Sequence, residues 1–183
     1  MIPLTMLWLP ILISAVLVFI AANILWMALP FWHHKDYVGL PEEKRVLEAL
    51  STAKSGQYVV PKLDWKTMTP EERTAMHAGP TAYMLVRNPA TFSFGKLLGT
   101  YFLYMVVVAI FVAYITGRTR AAGAPYLEVF RIASTVGFLS FGLRGVSDSI
   151  WYGKPWKVTF KEMIDGLIYG LLMGGTFGWL WPR

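Results

Sequence analysis

The stretch Ile11–Leu29, ILISAVLVFIAANILWMAL, decides the architecture of this chain. It holds 19 residues without a charge. At ~1.5 Å per residue a helix of that length nearly fills a hydrocarbon layer about 30 Å thick. With the apolar residues before it, a first membrane span is expected over Leu4–Leu29, within residues 1–30. A cleaved signal peptide is the competing reading. It is disfavoured because no basic segment precedes the run, the run is too long, and no small-x-small site stands before Phe31–Asp36. Pro10 is expected to kink the outer end of the helix, and Asn23 to face another helix, since an amide in lipid needs a partner.

Composition extends the reading to the whole chain. Of 183 residues, 55% are apolar and 15% charged, with a mean hydropathy of +0.46, whereas soluble domains carry about 25% charged residues. The absence of cysteine excludes disulfides, thiolate catalysis and cysteine metal sites. A net charge of +6 without any Lys/Arg-dense stripe or recognisable module does not point to nucleic acid. In a membrane protein that excess reads as a topology signal and as contact with anionic membrane lipids. No Walker loop, dinucleotide fingerprint, GxSxG, HExxH or haem-attachment motif is present, so no catalytic residue is assigned.

Three further spans are expected, at about residues 97–117, 126–147 and 160–181. The second ends at Gly117–Arg118–Thr119–Arg120, and Tyr101, Tyr104 and Tyr114 stand near its ends, as interfacial aromatics do. The third contains Arg131 and Arg144; the twelve residues between them rise ~18 Å, so both guanidinium groups can snorkel in opposite directions. A re-entrant or surface-lying helix is the alternative for this segment. The fourth follows the aromatic, basic turn Trp151–Lys157, and Thr159–Phe160–Lys161–Glu162 reads as a capping box that starts the helix near Thr159. Its Gly166, Gly170 and Gly174 form a bare face for close helix contact, within the chain or in an oligomer.

Residues 31–96 form an inserted extramembrane segment between the first and second spans. Pro41 followed by Glu42 and Glu43 opens a helix reaching about Lys54, with Val46, Leu47 and Leu50 as its apolar stripe. A capping box, Thr69–Pro70–Glu71–Glu72, opens a second helix that stops at Gly79–Pro80. Gln57–Val60 and Ala82–Val86 read as short strands that pair. The segment is too small for much of a core and is expected to pack on the helices or on a partner. The expected fold is thus all-α integral membrane, a four-transmembrane-helix bundle with a small α+β insertion between helices 1 and 2.

This arrangement brings polar residues to one membrane face: Arg144, Asp148, Asp165 and Lys161, with His33, His34 and Asp36 near them. Arg144 and Asp148 can pair if the third helix continues past Ser147, and Arg144 or Lys161 is the expected partner of Asp165. The layer reads either as a salt-bridge network that fixes the bundle or as a pocket for an anion, a proton or a metal. No cofactor is assigned. A divalent metal on His33, His34, Asp36 and His77 is the alternative to interfacial histidines, weakened because adjacent residues on a helix point about 100° apart.

The stretches Ser149–Ile150–Trp151–Tyr152–Gly153–Lys154–Pro155–Trp156, Asp165–Gly166–Leu167–Ile168–Tyr169–Gly170, Gly175–Thr176–Phe177–Gly178–Trp179–Leu180–Trp181–Pro182 and Leu29–Pro30–Phe31–Trp32–His33–His34–Lys35–Asp36–Tyr37 resemble an uncharacterised family of small bacterial four-helix inner-membrane proteins. The resemblance implies a bacterial cytoplasmic (inner) membrane and the same helix count, and it carries no activity.

Eleven Lys and Arg residues fall in residues 31–96 and the 148–158 turn, against Arg118, Arg120 and Arg183 on the other side. Positive-inside bias therefore places the termini outside and residues 31–96 in the cytoplasm. The expected role is a non-enzymatic subunit or scaffold of a membrane complex or homo-oligomer. A small oligomeric transporter or channel for an ion or small solute is the alternative.

Overall fold

The computed structural model describes residues 1–64, 66–87 and 93–183, and for His77 the backbone alone. The chain divides into two compact units, one of residues 1–38 and 94–183, the other of residues 39–93.

The larger unit is helical. A 3-10 turn at Leu4–Leu7 leads into α1, Trp8–Asn23, which widens into a π-helical turn at Ile24–Ala28 before the single-turn helix α2, Pro30–His33. In the insertion, α3 is Glu43–Leu50 and α4 is Pro70–His77. The larger unit resumes with α5, Phe94–Thr119, then α6, Tyr126–Gly142, α7, Val146–Trp151, and α8, Trp156–Trp179.

Three stretches are long and apolar enough to cross a membrane: Leu4–Ala28, Phe94–Thr119 and Tyr126–Trp151. These match the first, second and third expected spans. The fourth expected span is not among them, because Glu162, Asp165 and the glycines dilute the apolar character of α8.

α8 nonetheless contributes more buried residues than any other helix. They recur every three or four positions, from Thr159, Glu162, Asp165 and Gly166 to Tyr169, Gly170, Met173, Gly174, Thr176 and Phe177, which is one face of a helix with a polar upper end. Leu7, Val18, Met105, Val112, Val129, Met173 and Phe177 are wholly buried and draw all four long helices into one core. The ends of the unit are tied: Ile2 N–H donates to the Gly117 carbonyl (2.9 Å), Gly123 N–H to the Pro182 carbonyl (2.8 Å), and Trp181 Nε1 to the Ala121 carbonyl (2.9 Å). Both termini therefore lie with the α5–α6 turn at one end of the helices.

Several local expectations change. The third span is interrupted at 143–145, so Arg144 sits in a break between α6 and α7 and not on a continuous helix. α8 starts at Trp156, a turn before Thr159, with Pro155 as its N-cap residue. Thr159 does not cap because its hydroxyl meets Ser149 Oγ at 2.6 Å, while Glu162 pairs with Lys154. Asn23 bonds its own helix, Nδ2 donating to the Phe19 carbonyl at 2.7 Å, and needs no other helix.

In the smaller unit, β1 (Gly56–Val60) and β2 (Ala82–Val86) pair antiparallel, with Gly56 opposite Val86 and Val60 opposite Ala82. α3 is shorter than the expected Leu40–Lys54 because Glu42 takes a left-handed conformation (φ 54°) that turns the chain before the helix begins. Val46, Leu47 and Leu50 share an apolar groove with Met84, Leu85 and Val86 of β2. The Thr69 capping box is formed: its hydroxyl accepts from Glu72 N–H at 3.2 Å, and Glu72 Oε2 accepts from Thr69 N–H at 2.8 Å.

Candidate functional site

The site begins where α1 ends. Pro30 at the first position of α2 sets a new helical direction, and the single turn carries Trp32 and His33 toward α8. This is why the compact insertion starts after Val38 and not at Phe31: the chain through Asp36 is anchored to α8 by side-chain bonds.

Asp165 of α8 accepts a hydrogen bond from Trp32 Nε1 at Oδ1 (2.7 Å), and its Oδ2 lies 2.7 Å from His33 Nε2. The other ring nitrogen of His33, Nδ1, lies 2.7 Å from Asp36 Oδ2. Lys161, one turn before Asp165, donates to Asp36 Oδ1 at 2.5 Å and also to the Trp32 carbonyl. Trp26, in the π-helical turn, stacks on the His33 ring with centroids 3.9 Å apart and planes 11° from parallel. The His33, Asp36 and Asp165 side chains are all at most 5% exposed.

The proton inventory of this cluster follows from geometry. Each His33 nitrogen meets a carboxylate oxygen, and each contact requires a proton. Either the ring is an imidazolium that donates twice, or a neutral ring donates once and one carboxyl is protonated. In both cases Lys161, His33, Asp36 and Asp165 together are electrically neutral, which is what a nearly dry site demands. Burial pushes the Asp36 carboxyl up. The hydrogen bonds from Lys161 and His33, with their charges, outweigh this and hold it below the usual carboxylate range.

Beside the cluster lies a cavity of about 290 Å³, walled by Trp26, Tyr101, Phe141, Tyr169, Arg144, Glu162 and Asp165. Glu162 Oε1 receives Lys154 Nζ at 2.5 Å, whereas Glu162 Oε2 is buried without a hydrogen-bond partner.

The expected polar layer is therefore assembled differently. Lys161 and Asp165 join one network with His33 and Asp36, and Lys161 spends its charge on Asp36. Arg144 lines the neighbouring cavity. Asp148 is exposed; its backbone carbonyl accepts from Tyr152 and Lys154 N–H. Among the described residues no ion pair joins Arg144 to Asp148 or to Asp165, since the helix break turns residue 144 away from the α7 register. His34 is exposed and does not share the direction of His33. The His77 side chain lies outside the described residues.

A metal fits this arrangement poorly. Both His33 nitrogens point at carboxylate oxygens, so neither lone pair is free for a cation. Among the described residues no group of three His, Asp or Glu side chains is disposed to hold a metal ion.

Trp32, Trp26, Glu162 and Lys154 were not among the residues expected at this site. Lys161 and Asp165, at i,i+4 on a predicted helix start, are the sequence signal that a polar network is centred there. Nothing local to Trp32 announces that its indole N–H would be spent on it.

The glycine face lies against α6. A methyl carbon placed on Gly170 would stand 2.7 Å from the Ser134 carbonyl and 2.8 Å from the Phe138 amide nitrogen. On Gly174 it would stand 2.8 Å from the Phe130 carbonyl, and on Gly166 it would collide with the Gly142 backbone. Gly137 of α6 answers with its own bare surface, 2.9 Å from the Gly170 Cα by the same measure.

The chain matches no protein-family model, no curated protein and no solved structure.

Proposed function

We propose that the chain is a four-span, non-enzymatic integral membrane protein that serves as a subunit or scaffold of a membrane complex or homo-oligomer. The observation that carries this reading is that the buried charges are spent on one another. Lys161 holds Asp36, Asp36 and Asp165 bracket His33, and Trp32 completes Asp165, leaving none of these groups poised toward a substrate. Such a network locks α2 to α8 and thereby fixes the helix ends. The glycine face of α8 is already used by α6, so contacts to a partner fall on other faces.

α8 as the fourth span is supported by its 24 residues, about 36 Å of helix, and by its end lying with Ala121 of the α5–α6 turn. Its charged first half is compatible with a membrane because Glu162 and Asp165 are buried and partnered within the protein. The basic-residue asymmetry supports external termini and a cytoplasmic residue 39–93 unit. The bacterial inner membrane rests on the resemblance carried by the tryptophan- and glycine-rich stretches.

Native mass measurement with co-purification tests the role, and labelling of a cysteine at position 62 in intact cells tests the orientation. A heteromeric complex, or a homo-oligomer that moves no solute, together with protection of position 62 from an impermeant reagent, is expected. A lone monomer overturns the subunit reading, and labelling overturns the orientation.

The cavity at Arg144 favours a second reading, a small oligomeric transporter or channel. A symmetric oligomer that moves ions or solutes across liposomes decides for it.

A further inference from the structure

We infer that the outer edge of β2 is a self-association surface: two copies join antiparallel along Ala82–Val86, turning two two-stranded sheets into one of four strands, β1–β2–β2–β1. The inference rests on the homo-oligomer reading and names the surface that serves it.

The residue 39–93 unit carries apolar residues without a core. None of its described residues is buried, and Leu47 and Leu85 stand 63% and 75% exposed. A two-stranded sheet in that condition is marginal in water; further strands or a helix packed on it give it stability. Among the described residues β2 pairs with β1 on one edge and with no strand on the other. A groove of about 920 Å³ runs between β2 and α3. Met84, Leu85, Val86 and Arg87 all line it, and no residue of β1 does. Successive side chains point to opposite faces of a strand, so four consecutive residues mark the outer edge of β2 and not a face. Val46, Leu47 and Leu50 of α3 form the opposite wall, so an added strand meets backbone on one side and apolar side chains on the other.

The segment selects its own copy. Ala82–Val86 has neither a charge nor a proline, the residues that guard an edge against pairing, whereas β1 runs directly into Pro61 and Lys62. Placed antiparallel about its centre, the segment sets Met84 opposite the partner's Met84, Tyr83 opposite the partner's Leu85 and Ala82 opposite the partner's Val86. These are aliphatic and aromatic cross-strand pairs, and no like charges oppose one another. One patch paired with itself closes at two copies and leaves no open end. A lipid surface covers apolar side chains equally well, but it lacks the regular alternation of N–H and C=O that a strand edge matches.

The chain has no cysteine, so single-cysteine variants of the full chain report the contact directly. In membranes oxidised with copper phenanthroline, Met84→Cys is expected to give a disulfide-linked dimer, because facing Cα atoms of an antiparallel pair stand about 4.5–5.5 Å apart. Tyr58→Cys, at the matching register of β1, should give none, since three strand spacings, about 14 Å, would separate the two copies there. Leu85→Lys charges the edge at an exposed position and should raise the dimer dissociation constant in detergent at least tenfold by native mass, with the helical circular dichroism unchanged. A chain that is dimeric but gives no cross-link at position 84 overturns this surface and leaves the homo-oligomer reading standing. A lone monomer overturns both. A cysteine at position 84 that is shielded from maleimide in membranes without cross-linking assigns the edge to lipid. The same shielding within a heteromeric complex assigns it to a strand of another protein; either result overturns the self-pairing.

Discussion

Nε2 of His33, in the single turn of α2, lies 2.7 Å from Oδ2 of Asp165 in α8, across 132 positions of sequence. Together with the bonds of Trp32 to Asp165 and of Lys161 to the Trp32 carbonyl, the contact makes a short helical turn part of the bundle. A four-residue helix has no stability of its own, because nucleation costs more than so few hydrogen bonds return.

Asp165→Ala should therefore destabilise the protein strongly. It leaves the Trp32 indole N–H and the buried Nε2 of His33 without their acceptor, though Asp36 still holds Nδ1, and breaking such a buried pair costs about 3–5 kcal/mol. Asp165→Asn retains an acceptor for Trp32 and should cost less. Thermal melting in detergent reads the order; equal stability of Asp165→Ala and the native chain would show that the cluster locks nothing.

The pH dependence of that lock has a definite sign. Asp36 is held below the ordinary carboxylate value of about 3.9, so it stabilises the fold above that value and its contribution is lost as pH falls through the depressed folded value. Asp36→Asn should melt lower than the native chain at neutral pH. The gap between the two should stay constant down to about pH 5 and close below about pH 4. Melting curves of both proteins over that range provide the check; a gap that instead closes between neutral pH and pH 5 contradicts the assignment.

Two glycines of the long helices should respond oppositely to added bulk. Gly170→Leu drives side-chain atoms into the Ser134 and Phe138 backbone, where nothing can yield, and should cost at least the 1–3 kcal/mol typical of overpacking, with loss of the α6–α8 contact. Gly99→Ala in α5 meets nothing within 4 Å and should be neutral or stabilising by up to about 1 kcal/mol through helix propensity. Size-exclusion profiles and melting temperatures distinguish the two. Comparable behaviour of both variants would argue against close packing at Gly170.

In the residue 39–93 unit, Thr69→Ala removes the acceptor for Glu72 N–H and should cost about 1 kcal/mol of local stability. Hydrogen exchange at the Glu72 amide should accelerate by about fivefold, the equivalent of that loss. Unchanged exchange would mean that the capping box does not hold the start of α4.

The features legible in the sequence are those that local physics settles. A long apolar run has to leave water, so Leu4–Ala28 and Phe94–Thr119, charged only near its ends, are recognisable from length and composition alone. The capping box at Thr69 and the pairing of Gly56–Val60 with Ala82–Val86 depend on residues close in sequence or on short, well-bounded β-formers. The glycine periodicity of α8 revealed a bare face, though not which helix would cover it.

Tertiary structure alone decided the rest. Thr159–Glu162 has the pattern of a capping box, yet Thr159 and Glu162 are claimed by Ser149 and Lys154, because bonds across the α7–α8 corner satisfy buried groups that a cap would leave orphaned. Arg144 has the spacing to pair with Asp148, and the helix break cancels that spacing. Asp165 announces its need for a partner by its place in an apolar helix, but whether Arg144, Lys161 or His33 meets it depends on where packing carries the end of α1. Sequence determines which groups are costly to leave unpaired when buried; the helix packing determines which distant residues come near enough to pair with them.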